Sequence, residues 1–291
     1  MARREGPDLS LSLLGTTGST GALGRLVARA LSEHGLEQRL LVRDPARAPE
    51  LAGASVARTS YADAELARAS LEGVTTLFMV SGAEAADRLD QHRTFIDAAA
   101  AAGVQHVVYT SFLGAAEDCT FTLGRDHWAT EEHLRASGMA STFLRDAFYL
   151  DFLPDLVGED GVIRGPAGEG RVAAVTRADI ARSAVAVLTD PAPYAGTTWD
   201  LTGPEALTFT EVAALLSAHT GRPVTFHDET VEEAYASRLR WPAPQWQYDA
   251  WVSTYTAIAH GEMAGVTDHV LRLTGRAPTG LASYLSKQEK P

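Results

Sequence analysis

Along the first half of the chain, short continuous apolar runs alternate with segments whose apolar residues recur every three or four positions. The runs read as strands buried on both faces, and the longer period reads as amphipathic helix. A first strand is predicted over 9–14. The helix after it has an inner face of Leu23, Leu26, Val27, Ala30 and Leu31. The run RLLVR is a second strand, ended at Arg43 by Asp44-Pro45, because proline lacks the N–H a ladder needs and disfavours helix in the residue before it. Residues 55–58, 75–80 and 106–111 predict the third, fourth and fifth strands. An alanine-rich helix over 88–102, closed by Gly103, separates the last two, and a helix over 126–137 leads into a sixth strand over 141–145. Strand and helix alternating in this way is the mark of an α/β fold, a Rossmann-type doubly wound parallel sheet.

After Arg145 the pattern changes. Glycine and proline crowd the stretch GEDGVIRGPAGEGRVAAV, which reads as a loop or hairpin. A helix over 178–188 and a strand over 198–201 follow. Thr208 with Glu211 then matches a capping box opening the helix EVAALLSAHTG. A short strand PVTF and a tryptophan-rich helical tail end the chain. The expected organisation is a dinucleotide-binding domain over 1–150 and a smaller α/β substrate-covering lobe over 151–291, closely packed and partly interleaved.

Composition narrows the chemistry. A net charge of −12 disfavours nucleic acid or an anionic membrane as partner, since both would repel the chain. The opening MARREGPDLSLSLLG has too short an apolar run for a signal peptide, and no stretch approaches the roughly 20 apolar residues of a membrane helix. The single cysteine, Cys119, fits a reducing cytoplasm and rules out an internal disulfide or a cysteine-based zinc site. The only lysines are Lys287 and Lys290, so Schiff-base chemistry and a Tyr-x-x-x-Lys catalytic pair have no residues to use.

The segment LSLLGTTGSTGALGRLVARAL sets Gly15, Gly18 and Gly21 between a strand and a helix. A tight turn, close backbone approach to a diphosphate and helix–strand packing each ask for glycine there. The helix start offers unpaired N–H groups to the phosphates, and Thr17, Ser19 and Thr20 are placed to join them. Arg43, at the end of the second strand, stands where an NADP binder pairs the ribose 2′-phosphate, whereas an NAD binder places an acid. Asp44 reads as a turn residue beside Pro45. NADP(H) is the expected cofactor. Because ligands of such sheets cross the C-terminal strand ends, Val80, Ser81 and Gly82 are expected near the adenine-side ribose. Thr110, Ser111 and Phe112 are expected near the nicotinamide ribose.

The chain also resembles the NmrA-like branch of atypical short-chain dehydrogenases. The likeness rests on GTTGSTG with LVRDPARA, YADAELARASLEGVTTLFMVSG, AAGVQHVVYTSFLGA, HWATEEHLRASGMASTFLRDAFYLDFL, TRADIARSAVAVL and LTGRAPTGLASYL. Within that family the segment from SFLGA through RDHWATEEHLRASG is most similar to the reductases of quinones and triphenylmethane dyes. The resemblance implies an NADPH-dependent oxidoreductase passing hydride to a planar, conjugated small molecule without a tyrosine–lysine pair. The family also holds NADP(H)-sensing regulators that act through a protein partner, and that alternative stands beside the enzyme.

The resemblance brings two candidate catalytic residues. His127, near where another branch carries lysine, is a candidate proton donor oriented by Glu131 four residues on; the two equally make a plain structural hydrogen-bonded pair. Asp146 stands where related reductases tend to carry an amide, and an acid there carries charge toward nicotinamide or substrate. Phe148, Tyr149 and Phe152 are candidates to line an aromatic slot for the acceptor. Trp241, Trp246, Tyr248 and Trp251 either close that slot or serve only lobe packing. No metal site is implied.

Overall fold

The computed structural model describes residues 13–288. Seven parallel strands form its centre: β1 (Leu13–Thr17), β2 (Gln38–Val42), β3 (Ala54–Arg58), β4 (Val74–Met79), β5 (His106–Phe112), β6 (Ala140–Asp146) and β9 (Thr198–Leu201), in the order β3-β2-β1-β4-β5-β6-β9. Succession runs outward in both directions from β1 and β4, so the chain leaves the sheet on opposite sides there and opens a crevice at the C-terminal edge. One face is covered by α1 (Ala22–Glu33), α5 (Arg177–Thr189) and α9 (His269–Thr274), through Leu23, Val27, Leu31, Ile180, Ala184 and Val270. The other is covered by α2 (Ala64–Ser70), α3 (Arg88–Ala101) and α4 (Thr122–Ala136), through Ala67, Leu71, Phe95, Ile96 and Leu134.

The remaining elements are β7 (Val162–Gly165), β8 (Arg171–Val172), β10 (Leu207–Thr208), α6 (Phe209–Thr220), β11 (Thr225–Asp228), α7 (Val231–Arg238), α8 (Gln245–Ala259) and α10 (Leu281–Leu285). They share a separate core built on Leu153, Ile163, Phe209, Leu216 and Ile258. The two halves interlock: β9 pairs with β6, and α5 packs on α1, so the central sheet draws on residues beyond 150. None of the described helices is long and apolar enough to cross a membrane.

Several sequence expectations change, and one is that Leu26, 40% exposed, lies off the inner face of α1. The first strand covers Leu13–Thr17 rather than 9–14, and residues 9–12 lie outside the described residues. Gly15 therefore stands inside a strand and not in the turn. A Cβ there would meet Val74 at 3.0 Å and Leu41 at 3.2 Å, so its smallness serves sheet packing. Of the loop or hairpin expected over 158–175, no hairpin forms: β7 pairs in parallel with β11, and β8 antiparallel with β10. Helix α8 holds the two apart, since a Cβ on Gly165 would strike Tyr255 and one on Gly170 would strike the Ile258 carbonyl, each at 2.2 Å. Finally, α4 opens a turn earlier than expected. The Thr122 N–H at its start donates to Ser253 Oγ of α8 at 3.1 Å, a cap supplied from a distant part of the chain.

The join of β1 to α1 depends on a glycine outside the expected triplet. A Cβ on Gly24, in the first turn of α1, would lie 2.3 Å from the Gly18 carbonyl oxygen and 2.9 Å from that of Thr17. In an open helix Gly→Ala stabilises by up to about 1 kcal/mol. Here the sign reverses. Gly24→Ala is expected to destabilise the fold by about 1–3 kcal/mol, from overpacking against rigid backbone, read as a lowered denaturation midpoint. A rise in the midpoint would disprove this close approach.

Candidate functional site

The turn after β1 begins at Gly18, whose φ of +68° is a left-handed conformation that suits glycine. A Cβ there would also meet the Val80 side chain at 2.9 Å, so the β4 end closes directly over the turn. The Gly21 N–H donates back to the Gly18 carbonyl at 2.8 Å. N-cap side chains bond into the starts of α2, α5, α6 and α7, the last two through full capping boxes, but not into those of α3, α8, α9 and α10. The start of α1 has no capping side chain and no acid in its first turn. Its first N–H groups and the positive end of its dipole thus face the crevice uncompensated. Ser19 is fully buried beside them, and its hydroxyl has no hydrogen-bond partner. Arg43, at the end of β2, is exposed and makes no ion pair among the described residues. Asp44 turns the chain there, its carboxylate accepting from the Ala46 N–H at 3.1 Å.

The other strand-end hydroxyls point into the protein. The Val80 N–H donates to Thr17 Oγ1 at 2.8 Å, and the Tyr61 hydroxyl donates to the Val80 carbonyl at 2.7 Å. The Ser81 N–H donates to Thr110 Oγ1, and the Gly82 N–H to His92 Nε2, both at 2.8 Å. Arg88, only 4% exposed, donates from Nε to the Gly82 carbonyl at 3.0 Å and from its terminal nitrogens to Asp126 and His127. Burial and the Arg88 charge hold His92 down at about 3, so the neutral ring accepts from Gly82. The side chains of Thr17, Thr110 and Ser111 thus shape the Val80–Gly82 loop and the β5 end from behind.

His127 and Glu131 share a helix face yet do not bond each other. His127 Nε2 accepts from Arg88 at 3.0 Å, which leaves the proton on Nδ1, donated to the Tyr109 hydroxyl oxygen at 3.0 Å. Burial, with the Arg88 charge beside it, holds the ring well below its ordinary range. Glu131, fully buried, accepts from Ser111 at 2.6 Å, from Arg145 at 2.8 and 2.7 Å and from Arg135 at 3.0 Å. Both sequence readings of the pair are thereby replaced. Two arginines and a serine claim the carboxylate, and the imidazole is a neutral structural link with both nitrogens occupied.

Asp146 ends β6 and is 1% exposed. Its Oδ2 accepts from the Tyr149 hydroxyl at 3.3 Å, while Oδ1 has no partner. Burial pushes the carboxyl well above the usual carboxylate range, opposed only in part by that hydrogen bond. The environment favours the uncharged acid, a correction to the expectation of an anion aimed at the ligand.

A cleft of about 280 Å³ opens beside this edge, lined by Ala85, Ala86, Thr122, Leu123, Asp126, Trp246 and Asp249. Loop 83–87, the start of α4 and the start of α8 form its walls, and Gln247 of α8 donates to Glu84 at 3.1 Å across them. Phe148, Tyr149 and Phe152 do not line it. Phe148 packs on the second core and Phe152 is 43% exposed, their rings 6.1 Å apart, while Tyr149 lies under the Arg177 guanidinium. Of the tail aromatics only Trp246 reaches the cleft. Trp241 and Tyr248 pack edge-on against Trp251.

Sequence reasoning missed Gly24, Tyr61, Arg88, His92, Tyr109 and Asp249. Gly24 had a usable signal, because Gly15, Gly18, Gly21 and Gly24 recur every third residue and the last three form the real motif. Arg88 had none: inside EAADRLDQHR it reads as one more solvated charge.

Comparison with known proteins agrees with this architecture. The NAD(P)H azoreductase of Xenophilus azovorans is 35% identical over 272 residues, covering 92% of this chain and 94% of the azoreductase. The crystal structure of an NADPH-dependent quinone oxidoreductase from Escherichia coli, complexed with NADPH, superposes with a TM-score of 0.86 at 32% identity, covering 94% of this chain and 98% of the other. The triphenylmethane reductase of Citrobacter sp., complexed with NADP(H), gives 0.84 at 30% identity, covering 95% and 99%. Residues 12–249 match the profile of the NmrA-like family, and the chain belongs to that family.

Proposed function

We propose that this protein is an NADPH-dependent oxidoreductase that reduces a quinone-like or otherwise conjugated small molecule. The observation that carries the reading is the uncapped start of α1, with the Gly18 turn and the orphaned Ser19 hydroxyl, at the switch point of a parallel sheet. The relatives named above, an NAD(P)H azoreductase and reductases solved with NADPH or NADP(H), support it.

The residues present fit a phosphorylated dinucleotide. Free N–H groups of residues 22–24 and the Ser19 hydroxyl would hold a diphosphate, a group that needs donors and tolerates no nearby acid. Arg43, exposed and without an ion pair among the described residues, would take the 2′-phosphate. The Val80–Gly82 loop and the β5 end at Phe112 would border the two riboses. The bound cofactor supplies hydride from its nicotinamide ring. The chain holds its partner still, excludes water and presents the acceptor.

The acceptor's place in this reading is the cleft under Trp246. The indole offers a flat apolar wall to a conjugated ring, and Asp126 and Asp249 make part of the lining polar. No proton is routed through His127, whose ring nitrogens are both engaged. Residues 1–150 then supply the dinucleotide site, and 151–291 supply α8 as the cover that completes the cleft.

Purified protein is expected to oxidise NADPH when given quinones or azo dyes. Tight NADPH binding with no turnover across a broad acceptor panel would remove the enzyme and favour a sensing role. Arg43→Ala is expected to weaken NADPH by about tenfold to a hundredfold, from lost charge-assisted hydrogen bonds, and to leave NADH nearly unchanged. Equal losses would show that Arg43 does not meet the 2′-phosphate. Trp246→Ala should raise the acceptor KM by roughly threefold to tenfold with the NADPH KM unaltered; the opposite split would move the acceptor elsewhere.

A further inference from the structure

Among the described residues, five buried side-chain polar atoms lack any hydrogen-bond partner: Ser19 Oγ, Thr75 Oγ1, Asp146 Oδ1, Arg182 Nε and Asp200 Oδ1. Such atoms are few in folded proteins, and each asks for a cause. Thr75 stands at the opposite, N-terminal edge of the sheet, Arg182 lies on α5, and Asp200 sits one residue inside the end of the outermost strand. Ser19 and Asp146 stand at the C-terminal edge itself, one past β1 and one at the last residue of β6. β1 and β6 are separated by β4 and β5, three strand spacings, or roughly 14 Å. Two unfilled polar positions at the two ends of such a span suit one extended ligand that brings a polar group to each of them.

We propose that Asp146 binds the nicotinamide end of the cofactor as an uncharged carboxylic acid, donating a hydrogen bond from Oδ1 to the carboxamide oxygen. This rests on the dinucleotide reading above. The assignment of the proton follows from the one bond the carboxyl already makes. The Tyr149 hydroxyl donates to Oδ2, so Oδ2 serves as the carbonyl oxygen and Oδ1 carries the hydrogen. The flanking strand ends bring no charge, since Phe112 of β5 and Leu201 of β9 are the register partners of Asp146. Beyond the strand, Tyr149 is itself a neutral phenol, raised well above its ordinary range by burial. Arg177 of α5 lies over that ring, 4.8 Å from its centre, and its backbone N–H donates to Asp151. Arg145 and Asp200 are register partners one residue back along the strands, where side chains point to the other face. No cation is therefore placed to hold Asp146 ionised. An orphaned buried acid gains most from a ligand acceptor that takes its proton in a hydrogen bond.

Calorimetric titration with NADPH, whose nicotinamide ring is uncharged, and with adenosine 2′,5′-bisphosphate as a probe lacking nicotinamide, tests this as pH is raised. For the wild type, NADPH affinity should fall where Asp146 ionises, while the bisphosphate shows no matching fall. Asp146→Asn keeps a donor and should bind NADPH about as well as wild type at low pH, without the fall. Asp146→Ala should weaken NADPH about tenfold and leave the bisphosphate unchanged. An affinity for NADPH that rises with pH relative to the bisphosphate, or an alanine variant equal to the asparagine one, overturns the proposal. Wild-type protein that binds neither probe overturns the dinucleotide reading instead.

Discussion

One close backbone approach carries the rest of the site: the first turn of α1 packs on the turn after β1 where Gly18 and Gly24 carry no side chain. Gly18 takes a left-handed turn under Val80, and Gly24 leaves just enough space for the Gly18 carbonyl. That contact aims the α1 axis along the crevice and brings its free N–H groups to the point where the sheet changes winding direction. A side chain at either glycine would tilt the helix away, and the partial charge at its start would act on solvent instead of on a ligand. Every other site element is placed relative to this joint, because β2, β4 and β5 are in register with β1 directly or through one neighbour.

Around the joint, polar side chains act as braces. Tyr61, Thr17, Thr110, His92 and Arg88 together bond the three N–H groups of Val80, Ser81 and Gly82 and the carbonyls of Val80 and Gly82, so this loop is held from below. Arg88 extends the brace to Asp126 on the cleft wall and to His127, which links on to Tyr109. Glu131 organises the next layer, tying Ser111 of β5 to Arg145 of β6. Buried charges of this kind contribute little net stability as pairs. Removing one partner still costs about 3–5 kcal/mol, because the other is left uncompensated. Their effect is to fix geometry.

The core strands and the helices covering them were legible because their signals are local. Apolar runs bounded by Gly103 or Asp44-Pro45 need no partner to be recognised, and the Thr208–Glu211 capping box forms as its spacing predicts. The stretch over 158–175 was illegible as a pair of strands, since its partners β10 and β11 lie roughly 35 and 60 residues later and helix α8 sits between. The site divides in the same way. Gly18, Ser19, Gly21 and Arg43 were readable from residue type beside a strand end. The pairing of His127 with Glu131 was not, because helical spacing says which residues share a face and not which cross-strand partner claims each one.

What the sequence alone determined is therefore the α/β class, the glycine turn, the arginine after the second strand and the lack of a central lysine. Each is a property of a residue and its immediate neighbours. Tertiary structure decided the rest: that Gly24 and not Gly15 allows the close approach, that Trp246 and Asp249 close a cleft begun by α4, and that Asp146 is shielded enough to favour its proton. Those outcomes depend on desolvation and on distances between segments far apart in the chain, and both come into being only when the chain has folded.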